Sequence, residues 1–187
     1  MNIKRCSWVG KDPIYQEYHD KVWGRPVTDP KELFAKLCLD GQQAGLSWIT
    51  ILKKQQNYEA AFHHFEPNKI VLMEDDDVER LMLDKGIVRN RLKIKSIINN
   101  AHAYLKMQQE GILFDDFIWS FVDHKVIKNH WKNASEVPNS TPESDLMAKA
   151  LKKKGFSFVG TTICYAFMQA VGLVNDHTTN CHCYQQE

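Results

Sequence analysis

Along most of this chain apolar residues recur at three- and four-residue intervals, and the strict alternation of a half-buried strand is almost absent. The pattern predicts an all-α fold. Asp29-Pro30 followed by Glu32 reads as an N-cap with proline at the first helical position, and Leu33, Phe34, Leu37 and Cys38 then form one face. A second helix opens at Ser47 and carries Trp48, Ile51, Leu52, Tyr58, Ala61 and Phe62. Asp75 to Leu83 is short, with Val78, Leu81 and Met82 inward; Ile87 to Gln109 is long and amphipathic, with Leu92, Ile94, Ile97, Ile98 and Ala101 on its apolar face. Phe114 to Val122 is short and aromatic. Ser140-Thr-Pro-Glu143 starts a helix running to Lys154, with Leu146, Met147, Ala150 and Leu151 inward, and Thr161 to Leu173 is the last strong helix. The polar stretch 123–140 reads as a linker or surface loop. No repeat or low-complexity tract interrupts the chain.

Formal net charge is +1 over 187 residues, so there is no global basic field and any nucleic-acid contact must come from local clusters. The start, Met1-Asn-Ile-Lys-Arg5, has no apolar signal core behind it, and no apolar run is long enough to span a bilayer. These features suit a soluble cytoplasmic protein without a membrane partner. The five cysteines are odd in number and irregularly spaced, which favours free thiols or metal ligands over disulfides; Cys38 and Cys164, set among apolar residues, suit the core.

Three groups of residues could carry chemistry. Cys6 and His19 near one end match His177 and Cys181 near the other, and a Cys₂His₂ set suits tetrahedral zinc. The pair four residues apart has one-turn spacing, but Cys6 and His19 lack the tight spacing of zinc fingers. Spacing alone leaves ligands and incidental polar residues equally open, with His182 and Cys183 as spare ligands. Four protein ligands would close the site and make the metal structural. In the second group, Lys152-Lys-Lys-Gly-Phe-Ser-Phe-Val-Gly-Thr-Thr162 links two helices, and the N–H groups at the start of the following helix suit a phosphate. By itself this also describes an ordinary helical hairpin with solvated lysines. The row Arg89, Arg91, Lys93 and Lys95 scatters charge around a helix and reads as solvated. Third, Tyr15, Tyr18, Trp23 and Trp48 are dense aromatics near one carboxylate, Asp40; such walls can stack a flat cationic base, although core packing is the commoner use of aromatics.

Taken together, these blocks resemble the bacterial 3-methyladenine DNA glycosylase I family of the helix-hairpin-helix glycosylase superfamily. The resemblance runs from Cys6 to Cys181. It is carried by Asp12-Pro-x-Tyr-x-x-Tyr-His-Asp20, Gly41-Gln-Gln-Ala-Gly-Leu-Ser-Trp-Ile-Thr-Ile-Leu-Lys-Lys54 and Gly155-Phe-x-Phe-Val-Gly-Thr-Thr-Ile-Cys-Tyr-Ala-Phe-Met-Gln-Ala170. It implies one helical unit, 1–187, with a hairpin element over 143–173 and termini, 1–28 and 174–187, tied by a structural zinc on Cys6, His19, His177 and Cys181. It implies a monomer that flips N3-methyladenine out of duplex DNA and hydrolyses its glycosidic bond, without strand cleavage, releasing free 3-methyladenine. Tyr18 and Trp48 would hold the base, with Trp8 and Tyr15 nearby and Asp40 as the carboxylate at its edge. Gln43, Gly45 and Leu46 would face the gap left in the duplex, and Phe158, Val159, Gly160, Thr161 and Thr162 would meet phosphate. The superfamily's aspartate after the hairpin is not expected to act here, although Asp176 lies in that region. The family pattern has glutamate where this chain has Asp40, so hydrogen bonds to the base edge should be longer, bridged by water, or restored by a backbone shift. Two other classes compete: a non-catalytic zinc-stabilised nucleic-acid-binding module, and a zinc deaminase, whose His-x-Glu and Pro-Cys-x-x-Cys pattern is absent.

Overall fold

The computed structural model describes residues 3–185. Ten α-helices make up the chain's described part: α1 (Pro13–Lys21), α2 (Pro30–Gln42), α3 (Trp48–Leu52), α4 (Gln55–Ala61), α5 (Pro67–Ile70), α6 (Asp75–Met82), α7 (Arg91–Gln109), α8 (Phe114–Ser120), α9 (Pro142–Lys153) and α10 (Thr161–Ala170). The all-α expectation is met. The exception is a pair of two-residue parallel strands, β1 (Ile127–Lys128) and β2 (Val174–Asn175). None of the described helices is long and apolar enough to cross a membrane.

Helix α2 is the centre of the molecule and packs against α7, α8 and α10. Its start follows from chemistry legible in the sequence: the Asp29 carboxylate accepts the Glu32 N–H at 2.7 Å, and Pro30 occupies a position with no N–H to lose. Leu33, Phe34, Leu37 and Cys38 are buried as expected, and the burial continues to the C-terminal end through Asp40, Gly41 and Gln42. Helix α1 has the same signal, Asp12 accepting from Ile14 N–H with Pro13 behind it, and is an element the apolar periodicity does not mark. Helices α9 and α10 pack against each other across the short turn that joins them. Gly155, at φ +95°, closes α9, with Phe156 N–H bonding back to Leu151 C=O at 3.0 Å.

The other boundaries moved for local reasons. The helix opening at Ser47 breaks at Lys53-Lys54 into α3 and α4. Asn90 caps Lys93 N–H at 3.1 Å, so α7 begins at Arg91 rather than Ile87. Leu92 and Leu146, both expected inward, are exposed; Ala148 takes the inward place on α9. Helices α8 and α10 stop at Ser120 and Ala170, short of Val122 and Leu173. At the end of α10 the reason is Gly172, at φ +73°: a Cβ there would lie 2.4 Å from the carbonyl carbon of Arg25. The stretch 123–140 is not a free linker, because β1 pairs with β2 and fastens it to the tail.

Two apolar cores result. The larger fills the space among α2 to α10. The smaller joins Cys6, Val9, Tyr18 and Trp23 to Ala170, Cys181 and Cys183, and Trp48 packs against both. The N-terminal arm and the C-terminal tail therefore meet, next to the start of α3.

Candidate active site and metal centre

A cleft of about 350 Å³ lies between the two cores. Trp8, Tyr15 and Tyr18 from the arm, Asp40 and Gln43 from the end of α2, and Trp48 from the start of α3 line it together. The rings form a chain: Trp8 to Tyr15 at 4.9 Å, Tyr15 to Tyr18 at 6.5 Å, and Tyr18 to Trp48 at 5.7 Å between centroids. These are ordinary aromatic packing distances, yet they leave one face of the set open to the cleft.

Two buried polar side-chain atoms in this wall lack a hydrogen-bond partner among the described residues: Asp40 Oδ2 and Trp48 Nε1. Orphaned polar atoms are rare in native interiors and costly, so an acceptor and a donor left open on one cleft mark a place for a ligand with complementary groups. Burial raises the Asp40 carboxyl from 3.8 to about 8, and Lys36 opposes this only in part. Tyr18 is held well above the ordinary phenol value, first by burial and then by Asp40, so it stays neutral.

On the opposite wall only Thr162 belongs to the expected site residues. Thr162, Tyr165, Ala166 and Gln169 of α10 line the cleft, as do Asp176 and the segment Ala134 to Asn139. Thr162, Tyr165 and Gln169 sit at i, i+3 and i+7, a polar stripe on an otherwise apolar helix that is legible in the spacing. Asp176 accepts from Asn129 at 2.7 Å, Trp131 Nε1 at 2.9 Å, Gln169 at 2.9 Å and the Tyr165 hydroxyl. Both of its oxygens are engaged, so it cannot serve as a free base.

The hairpin turn lies beside the cleft. Gly160 precedes α10 with no side-chain cap, which leaves the first N–H groups of that helix without a side-chain partner. Thr162 is exposed and Thr161 shares a 2.8 Å hydroxyl contact with Ser144. Phe158 adopts φ +55° and Val159 points into the core, so Val159 can offer only its backbone to a phosphate. Gly45, at φ +77°, and Leu46 form an exposed turn after α2, outside the cleft lining. The basic row is only partly solvated: Arg91 pairs with Glu79 and Lys95 with Asp75, but Lys93 is buried.

Cys6, His19, His177 and Cys181 are all buried, and their ligand atoms fall within 4.8 Å of one another. Sulfur-to-nitrogen separations are 3.5 Å (Cys181 to His19), 3.6 Å (Cys181 to His177) and 3.7 Å (Cys6 to His177). A tetrahedral ion with zinc-like bond lengths would set a thiolate and an imidazole about 3.5 Å apart, so this cluster could hold a metal ion. The outer nitrogens agree. His19 Nδ1 lies 2.8 Å from Asp20, itself held by Arg5, and His177 Nε2 lies 3.2 Å from the Trp23 carbonyl. With those nitrogens protonated, Nε2 of His19 and Nδ1 of His177 turn their lone pairs into the space between the four ligand atoms. The Cys6 thiol holds Cys181 below the ordinary thiol value, while Cys181 and burial raise Cys6 in turn, so the two sulfurs share one proton.

Comparison with known proteins gives this geometry its context. The methyladenine glycosylase family pattern matches residues 8–184. The chain is 59% identical, over 97% of its own length and 97% of the relative's, to DNA-3-methyladenine glycosylase 1 of Escherichia coli (strain K12). It belongs to the methyladenine glycosylase family. Within the family, a solved 3-methyladenine DNA glycosylase I superposes with a TM-score of 0.95 at 58% identity, covering 96% of this chain and 99% of that one. The Staphylococcus aureus 3-methyladenine DNA glycosylase I, described for the structural basis of its 3-methyladenine recognition, superposes at 0.94 with 40% identity, covering 98% and 97%.

Proposed function

We propose that this chain excises N3-methyladenine from duplex DNA by hydrolysing the N-glycosidic bond, leaving an abasic site and an uncut strand. The observation that carries the reading is the pair of orphaned atoms, Asp40 Oδ2 and Trp48 Nε1, in a cleft walled by aromatic faces. A flat base with acceptor and amine edges satisfies both. The base must leave the stack to reach them, because its edges and glycosidic bond are shielded in the duplex.

The lesion nucleotide is cationic and so already a good leaving group, which is why the cleft can work without a strong acid. Tyr18 and Trp48 stack on it, with Trp8 and Tyr15 behind them. Asp40, protonated in the empty site near neutral pH, loses its proton as the cation approaches, and the carboxylate then favours the charged base over neutral adenine. Its chain is one methylene shorter than the family's glutamate, so selectivity is where this protein should differ. The Gln43–Leu46 turn fills the gap in the duplex, and the uncapped start of α10, with Phe158, Val159, Gly160, Thr161 and Thr162, receives a phosphate. Among the described residues, no lysine lines the cleft as a nucleophile.

Cys6, His19, His177 and Cys181 would hold zinc. A closed four-ligand site supplies cross-linking rather than Lewis-acid chemistry, tying segments 1–28 and 174–187 of one helical unit, 1–187, around the hairpin element 143–173; Met1, Asn2, Gln186 and Glu187 lie outside the described residues. In this reading the chain acts as a monomer on cytoplasmic DNA. The test is release of base from duplexes carrying 3-methyladenine, 7-methylguanine or hypoxanthine, with borohydride added in parallel. Selective release of 3-methyladenine without a trapped adduct is expected. DNA binding without release would favour a non-catalytic binding module, and a trapped adduct would overturn the hydrolytic route.

A further inference from the structure

Helix α7 packs on α2 and buries Ile94, Ile97 and Ala101, but its buried residues also include Lys93, Ser96 and Asn100 at i, i+3 and i+7. Buried polar groups of this kind are costly, and apolar residues would pack the helix at least as well. Their partners show what they do. Lys93 Nζ donates to the carbonyls of Gln42, at 2.8 Å, and Ala44, at 2.6 Å. These belong to the end of α2 and the turn after it, where carbonyls have no helical partner. Gln42 Nε2 returns a 3.0 Å bond to the Lys93 carbonyl. Seven residues on, Asn100 holds the hairpin: its Oδ1 accepts Ser157 N–H at 2.8 Å and its Nδ2 donates to Ser157 C=O at 3.2 Å. The last turn of α2 itself lies against the hairpin turn, since a Cβ at Gly41 would stand 3.2 Å from Phe158 Cβ.

We propose that Lys93 and Asn100 are positioning residues that fix the post-α2 turn and the hairpin turn at one separation, so that the two grip a distorted duplex while the base pocket stands without them. Seven residues of helix set that separation at about 10 Å. Neither residue lines the cleft. The inference rests on the excision activity proposed above, and it assigns Lys93 to extrusion of the lesion rather than to recognition of the base.

Lys93→Met separates these roles. It keeps the buried stem and removes the charge-assisted bonds to the turn. Three readouts are compared with wild type: single-turnover excision of 3-methyladenine from a duplex, excision from a single strand, and affinity for free 3-methyladenine by tryptophan fluorescence. Loss of a charge-assisted bond to the turn should slow duplex excision about tenfold, leaving single-strand excision and free-base affinity within about twofold. Asn100→Ala should show the same split. Should Lys93→Met melt below the assay temperature, Lys93→Gln, which retains a neutral N–H donor group, is expected to show a smaller loss on duplex alone. A normal duplex rate, or an equal loss in all three readouts, overturns the assignment. An inactive wild-type chain overturns the excision reading itself.

Discussion

Substituting Asp40 by Asn should make this protein more stable and less able to hold its base. The side chain is 3% exposed, and one of its oxygens has no partner among the described residues. Burial raises its pKa from 3.8 to about 8. An acid raised in this way destabilises the fold as pH climbs: below about pH 4 both states are protonated and nothing is lost, and from there to about pH 8 only the unfolded chain ionises. At roughly 1.4 kcal/mol per pKa unit, wild type forgoes on the order of 5 kcal/mol by pH 8 and little more above it. Asparagine cannot ionise and follows no such course. The gap in stability between Asp40→Asn and wild type should therefore widen by about 4 kcal/mol between ~pH 4.5 and ~pH 8.5. At 2–4 °C per kcal/mol for a chain of this size, that is roughly 10 °C in melting temperature. Thermal melts at both pH values, run beside fluorescence titration with free 3-methyladenine, give the answer. A melting difference that stays constant with pH would refute the buried-carboxyl reasoning. Unchanged affinity for the base would remove Asp40 from the recognition set.

Other outcomes follow from the same geometry. Because the free enzyme must lose the Asp40 proton to favour a cation, kcat/KM for duplex excision should rise up to about tenfold per pH unit below pH 8 and level off above it; a pH-rate profile that is flat in wild type as well as in Asp40→Asn would refute this. Stripping metal with a chelator should lower stability by about 4 kcal/mol if the ion was present at a thousand times its Kd, seen as a lower melting temperature, with activity lost only as the fold is lost. A chelated protein that is inactive while still fully folded would point to a metal acting in the chemistry. Gly172→Ala should cost about 2–4 kcal/mol in denaturant unfolding, since it combines φ +73° with a Cβ lying 2.4 Å from the Arg25 backbone; a cost below about 1 kcal/mol would mean the arm shifts freely away from α10.

Much of the candidate site was legible because its parts are local. The Asp-Pro cap of α2, the Trp48 helix start and the glycine-bearing hairpin are each set by neighbours in sequence, and the paired Cys and His residues identify themselves by chemical type. The polar stripe Thr162, Tyr165 and Gln169 was equally local and could have been read from its spacing. Helix ends were harder. Residues 87–90 are as apolar as the helix that follows, and what holds them out of it is the Asn90 cap together with a bond from Val88 N–H to the Tyr58 hydroxyl across 30 positions.

What the sequence determined by itself was the helical class, the residue types that suit a metal and a flat cation, and the family pattern that joins them. Only the tertiary structure decided which charges are buried. Lys93 and Lys95 are two residues apart with the same chemistry, yet one bonds two backbone carbonyls inside the protein and the other pairs with Asp75 at the surface. Asp40 differs from the other acids of the chain only in where α2 ends, between an aromatic arm and α10. Desolvation depends on what surrounds a group on every side, and those surroundings come from segments far apart in the chain. A local pattern cannot encode that.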